Sequence, residues 1–362
     1  MRKSRARDLG IPLEGTPGHL NAITDISGVM VGHTTLISGN GPLEIGRGPV
    51  RTGVTAIIPR PDSPGPVFSA WYSLNGCGEM TGTTWIEESG FLHGPIMLTN
   101  TLSVGIVKDA TVEWMHQHYQ FGWGLNVVTE TYDGFLNDAF GFHISKEHVY
   151  AALDGAKTGP VEEGNVGGGT GMICHDFKGG IGTASRKLDE ALSEFTIGVL
   201  VQANHGSRHQ LHIAGVPVGT EIPDLMPEKP PKTEDAKTSS IVAVLATDCP
   251  LLPHQLKRLC RRVPLGIARL GAVSEGFSGD IFLAFSTAPI GEAKDNGIRQ
   301  VNMVSIEKMN PLFEATVQAT EEAILNALIS AETMTGINGN TVYALPHDRL
   351  RAILKKYNRL VS

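Results

Sequence analysis

Cysteine is scarce, with four in 362 residues, at 77, 174, 249 and 260, and no CxxC pair among them. That excludes a disulfide framework, argues against a structural zinc module, and suits buried thiols in a reducing, cytoplasmic compartment. No apolar run reaches the length of a membrane span. The basic opening Met1-Arg-Lys-Ser-Arg-Ala-Arg-Asp8 passes into Leu-Gly-Ile-Pro12 without the apolar stretch of a signal peptide. A basic excess is missing too. Lys and Arg number 30 against 37 Asp and Glu, a formal charge of −7, so the chain offers no global field for a polyanion and no nucleic-acid partner is expected.

Glycine is what the chain has in plenty, 43 residues where ordinary usage would give about 25. With 41 % hydrophobic and 19 % charged residues the composition is that of a globular protein, and glycines clustered at turns point to many strands joined tightly. Short apolar pieces alternate with turn residues over His19–His33, Thr52–Pro59 and Pro66–Tyr72, so the first part of the chain reads as sheet. Pro95–Asn100, the stretch from Leu125, Glu194–Ala203, the run from Ile241 and Ile281–Ser286 read as further strands. Helical spacing predicts helices over Lys108–Gln120, Ser145–Leu153, Pro250–Val263 and from Asn310 to about Leu328. With no long linker and no repeat, the expectation is a single layered α+β body with a surface excursion at 223–239.

Two glycine-rich loops stand out. Leu74-Asn-Gly-Cys-Gly-Glu-Met-Thr-Gly82 reads as a tight turn needing positive φ. Gly164-Asn-Val-Gly-Gly-Gly-Thr-Gly-Met172 lacks the Gly-Lys-Ser/Thr ending of a phosphate loop, so its glycines read as places of close backbone approach. Polar groups collect at strand ends, a common place for a site: Glu130, Tyr132 and Asp133 after one strand, Asn204 after another, Ser278 and Asp280 before a third. His205, His209 and His212 have no Cys or carboxylate at ligand spacing, so no metal and no other cofactor is expected.

Lys237-Thr-Ser-Ser-Ile-Val-Ala-Val-Leu-Ala-Thr-Asp248 runs from a polar, proline-rich segment, Pro223 to Lys237, into an apolar strand. It is either an ordinary loop-to-strand junction with two serines in the turn or a cutting site. If the bond before Ser240 breaks, Ser240 gains an α-amine of reference pKa about 7.7–8.0, a usable base for its own hydroxyl.

Several motifs falling in order favour the second reading. Glu130-Thr-Tyr-Asp-Gly134, Val201-Gln-Ala-Asn204, Ser240-Ile with Ala246-Thr-Asp248 and Pro253-His-Gln-Leu256, and Ser278-Gly-Asp280 together resemble the L-aminopeptidase/D-esterase family, which includes β-peptidyl aminopeptidases. The similarity runs from Asn21 to about Leu345. It implies a four-layer αββα sandwich of N-terminal-nucleophile type with its own connectivity, one catalytic domain over 1–362, and self-cleavage into 1–239 and 240–362. It also implies roles, position by position. Ser240 resembles the nucleophile, Tyr132 and Asn204 the oxyanion donors, Ser278 and Asp280 the pair holding the new α-amine, and Glu130 the carboxylate that receives the substrate's ammonium. Small peptides, amino-acid amides and esters are the implied substrates, and a homo-oligomer of cleaved heterodimers the implied assembly. Some relatives carry Glu at the place of Asp280, and Gly or Asn at the place of Ser239; the cut then falls beside Ser239 or Ser240, with Ser240 preferred because it directly precedes Ile241-Val242. An acyltransferase like the ornithine acetyltransferases, with a threonine nucleophile, and an uncut glycine-rich binding protein are the alternatives.

Overall fold

Short apolar runs build two large sheets, and where each run stops, a polar end is left over. The computed structural model describes residues 3–60, 65–119, 125–189, 192, 194–228, 239–292 and 294–360. In chain order the strands are β1 (Met30–Ser38), β2 (Val50–Ile58), β3 (Val67–Ser73), β4 (Phe91–Leu92), β5 (Ile96–Asn100) and β6 (Val127–Thr131). Then come β7 (Ile173–Cys174), β8 (Phe177–Lys178), β9 (Gly180–Lys187), β10 (Thr196–Asn204), β11 (Ser239–Thr247) and β12 (Ser278–Ser286). The helices are α1 (Thr83–Ser89), α2 (Val104–Tyr119), α3 (Lys146–Asp154), α4 (Val218–Glu221), α5 (Pro253–Cys260), α6 (Val263–Arg269), α7 (Asn310–Ser330) and α8 (His347–Lys356).

One sheet has the order β1-β2-β5-β6 and the other β4-β3-β12-β11-β10-β9. Residues such as Ile57, Ile96 and Val127 of the first sheet meet Leu200, Val242, Val244 and Leu283 of the second in a core between the sheets. Helices α2 and α3 cover the outer face of the smaller sheet through Val107, Trp114 and Leu153. Helices α5, α6 and α7 cover the outer face of the larger one through Leu256, Ile267 and Ile324. The result is a four-layer αββα sandwich.

β11 lies inside the six-stranded sheet, antiparallel to β10 and parallel to β12. Its Val242, Val244 and Ala246 face the other sheet, while Ile241, Ala243 and Leu245 face the helices. By the same alternation Ser240 points between the sheets and Ser239 points away.

Several expectations need correction. Pro250–Val263 is not one helix: α5 ends at Cys260 and α6 starts at Val263, because Pro264 has no N–H to offer the Cys260 carbonyl and its ring would clash there. Of His19–His33 only Met30–His33 is strand. The preceding stretch is turned back on itself by Asp25, whose carboxylate accepts from the Leu20 and Ala22 N–H groups at 2.9 and 3.1 Å. Helix α2 begins at Val104, and residue 120 of the predicted span, like residues 229–238 of the polar segment, lies outside the described residues. The elements α1, β9 and α8 have no counterpart in the sequence reading. Among the described residues no helix is long and apolar enough to cross a membrane.

Candidate active site

The two serines do not precede β11 but begin it, and Ser240 is only 6 % exposed. Its hydroxyl donates to the carbonyl of Ser239 at 2.6 Å, and its Oγ accepts the N–H of Gly279 at 3.1 Å. A buried nucleophile candidate is thus held against the carbonyl of the peptide bond in front of it. Gly279 is opposite Ser240 in the parallel register, and its lack of a side chain is required. A Cβ there would stand 2.5 Å from the Cys77 carbonyl oxygen and 2.8 Å from Gly78 Cα. The glycine loop 74–82 therefore packs, backbone on backbone, over the strand pair that carries Ser240.

On the other side, Asn204 is the register partner of Ser240 in β10. It shares the inter-sheet face with Gln202, whose amide donates across to the Thr99 carbonyl and the Thr131 hydroxyl of the smaller sheet. Two contacts orient the Asn204 amide: Oδ1 accepts from Ile173 N–H at 2.7 Å, and Nδ2 donates to the Tyr132 carbonyl at 3.1 Å. Only one orientation satisfies both, since the first partner has just a hydrogen and the second just lone pairs. Nδ2 carries a second hydrogen beyond the one given to Tyr132. Tyr132 joins the site through its backbone, while its phenol ring folds over Gly134, where a Cβ would overlap the hydroxyl oxygen.

Ser278 and Asp280 open β12. By alternation they face the helix side, opposite to the Ser240 hydroxyl, and so serve the main chain. Asp280 Oδ1 accepts from Ser278 Oγ at 2.6 Å and from the Ile241 N–H at 3.2 Å, and Asn75 Nδ2 donates to Oδ2 at 3.2 Å. Asn75 in turn is held by the Ser274 and Glu275 carbonyls. Burial pushes the Asp280 carboxyl above its ordinary value, against the opposing pull of Ser278 and these other donors. A proton-hungry carboxylate thus lies one peptide away from the nitrogen of Ser240.

Glu130 is the last residue but one of β6 in the smaller sheet and is 4 % exposed. Oε1 accepts from the Glu79 N–H at 2.9 Å and Oε2 accepts from the Thr101 hydroxyl. Gly78, which abuts Gly279, would bring a Cβ within 3.3 Å of Oε1, so the 74–82 loop links Glu130 to the Ser240 strand pair. Burial raises the Glu130 carboxyl above its usual range, partly offset by those two donors. Asp133, by contrast, belongs to the scaffold: it accepts from Asn100 and Asn137 at 3.0 and 3.1 Å, and burial pushes its carboxyl up to about 6.

The predicted site residues thus lie on β6, β10, β11 and β12 and, for Tyr132, just past the end of β6. Sequence reasoning missed the Gly279 N–H, Asn75, Thr101 and Lys178. Lys178 is fully buried, and its Nζ donates to the Met172, Gly179 and Gly169 carbonyls at 2.7, 3.0 and 3.4 Å, tying the second glycine loop to the hairpin that supports Asn204. Burial holds its ammonium down to about 7. The glycine density of both loops was the available signal, since close backbone approach needs it.

Known proteins are similar to this chain over nearly its whole length. The sequence pattern of Peptidase family S58 matches residues 21–342. β-Peptidyl aminopeptidase BapA of Sphingosinicella microcystinivorans is 52 % identical, across 99 % of this chain and 93 % of that protein. BapA of Sphingosinicella xenopeptidilytica is 50 % identical, across 97 % and 91 %. Among solved structures, the L-aminopeptidase D-Ala-esterase/amidase of Ochrobactrum anthropi is 48 % identical with a TM-score of 0.91, across 99 % of this chain and 100 % of that one. It is described as a prototype of the serine aminopeptidases and a variant of the Ntn hydrolase fold.

Proposed function

The chain belongs to peptidase family S58 and is an aminopeptidase of the N-terminal-nucleophile fold, and on that premise we propose that it activates itself by cutting the bond before Ser240. The observation that carries this is the Ser240 hydroxyl lying 2.6 Å from the Ser239 carbonyl oxygen. Oγ attacks the Ser239 carbonyl carbon, the C–N bond breaks, and the nitrogen leaves as the α-amine of Ser240 with the hydroxyl proton. Water then hydrolyses the ester, giving chains 1–239 and 240–362. In turnover the freed amine is the base for its own hydroxyl, Ser278 and Asp280 hold that amine, and Asn204, its amide oriented by the Tyr132 carbonyl, steadies the oxyanion.

Glu130 anchors the substrate's ammonium, which restricts attack to the first residue of a peptide, amide or ester. No step calls for a metal or cofactor. The relatives named above are all peptidases, and nothing in them favours the acyltransferase alternative. A narrower reading, release of β-amino residues, draws support from the 52 % and 50 % identity to the two β-peptidyl enzymes. Four free cysteines support a cytoplasmic site of action. The exposed Val273 and Phe277, ahead of Ser278, fit a face covered by another copy in a homo-oligomer of cleaved heterodimers.

The test is a denaturing gel of the purified chain beside assays on β-alanine and L-alanine p-nitroanilides. Two bands with turnover are expected. One uncut band with turnover sinks the proposed activation.

A further inference from the structure

Behind Asn204 lies a group of side chains for which the peptidase reaction has no use. The β7–β8 hairpin turns through His175 and Asp176, both in the left-handed region at φ 50° and 56°. This turn lays Cys174 and His175 against His205, the residue after Asn204. One donor atom from each of the three lies within 4.8 Å of the others, and all three residues are buried. Cys174 Sγ is 3.8 Å from His205 Nδ1, and His205 Nε2 is sealed from solvent without a hydrogen-bond partner. His175 Nδ1 is 3.1 Å from the Ser207 carbonyl. In metal sites a hydrogen bond of this kind fixes the tautomer and orientation of a ligating imidazole. Gly206, at φ 81°, makes room for the ring, since a Cβ there would lie 2.6 Å from it. The sequence hid this group because Cys174 and His205 are far apart in the chain and meet only through the hairpin.

We propose that Cys174, His175 and His205 form a binding site for a zinc-class cation, and that filling it slows the aminopeptidase. One thiolate with two imidazoles is a donor set that zinc accepts and that magnesium or calcium does not favour. Binding exchanges the thiol proton for the metal, the proton leaving to solvent. Ligand atoms held about 2.0–2.3 Å from one zinc ion lie roughly 3.3–3.8 Å apart, so the three donors must close by about 1 Å. That closure acts on Asn204 from two sides: Ile173, whose N–H holds Oδ1, directly precedes Cys174, and His205 directly follows Asn204. The inhibitory half therefore rests on Asn204 serving the oxyanion, whereas the binding half does not.

The experiment uses the full-length protein with zinc or cobalt alone as probe, supplied during expression and again by dialysis because the site is closed to solvent. Wild type is expected to retain about one zinc per chain after gel filtration. Its cobalt form is expected to show a thiolate-to-cobalt charge-transfer band in the near ultraviolet, a readout that needs no variant and no activity. Cys174→Ser and His205→Gln are expected to lose the retained zinc, and Cys174→Ser to lose the band. Turnover of the wild type should fall several-fold on loading, and that of Cys174→Ser should not respond. No zinc retained by wild type, equal retention by Cys174→Ser, or cobalt bound without the thiolate band would each overturn the site. Retention with unchanged turnover would overturn only the inhibitory half, and an inactive protein that still shows the cobalt band would point to a failure of the peptidase reading instead.

Discussion

The two sheets of this molecule hold their functional groups in different ways. On the six-stranded sheet, Ser240, Gly279, Asp280 and Asn204 sit on neighbouring strands, and their mutual positions follow from ladder register. On the four-stranded sheet, Glu130 and Tyr132 stand where β6 runs out, held by a loop and by contacts that cross between sheets. Under the proposed mechanism the first set, led by Ser240, serves both self-cleavage and turnover, whereas Glu130 serves only the substrate. Substitutions can therefore pull cutting and turnover apart.

The largest effect is expected at the group both processes share. Ser240→Ala should leave the chain whole and lower activity by at least about 10⁴-fold, as removal of a nucleophile does; a cut or active variant would place the nucleophile elsewhere. Next comes Asn204→Ala. Loss of an oxyanion donor lowers kcat by about 10²–10³-fold, and steady-state kinetics should show that drop with KM little changed, together with slower self-cleavage. If KM rises while kcat holds, Asn204 binds substrate instead.

Glu130→Gln is the substitution that separates the two sheets. It should cut normally yet lose roughly ten- to a hundred-fold in kcat/KM, the worth of one charged hydrogen bond. Comparison of a free-amine substrate with its N-acetylated analogue reads the anchor directly. Equal cleavage of both by wild type removes Glu130 from that role.

A smaller effect concerns pH. Burial raises the Glu130 carboxyl, and only its ionised form binds an ammonium. Hence kcat/KM should fall as pH drops through that raised value, at a pH above the reference of about 4.3, and this limb should be missing in Glu130→Gln. The stability sign is the reverse. In the window between the reference and the raised value the folded chain binds more protons than the unfolded one, so Glu130 costs stability as pH rises through it. The smallest expected effect is none: for protein prepared without added zinc, dialysis against EDTA should leave turnover intact, and a loss restored by zinc would make metal part of the reaction.

Short apolar runs between turn residues made β2, β3, β5, β10 and β11 legible, and motif order made the family legible. β9 escaped because two of its residues, Gly180 and Gly182, carry no side chain. At Gly182 a Cβ would run into the Ala323 carbonyl of α7, so the strand gives up its β-propensity to let a helix lie on it. The contact between the 74–82 loop and Gly279 escaped for the same reason, since two glycines touching by their backbones leave no pattern to pair. The spacing of Val263 after Leu256, Leu259 and Cys260 carried the apparent helix past Cys260, where Pro264 ends it. What sequence did convey was which residue types end each strand; what it could not convey was which ends come together.

N-terminal sequencing of the small chain, taken with its activity, tests the central claim most directly. The account predicts a single start, Ser-Ile-Val-Ala, beginning at Ser240, in a preparation that hydrolyses a free-amine p-nitroanilide. A start of Ser-Ser-Ile, or full activity in a chain with no internal start at all, would contradict it.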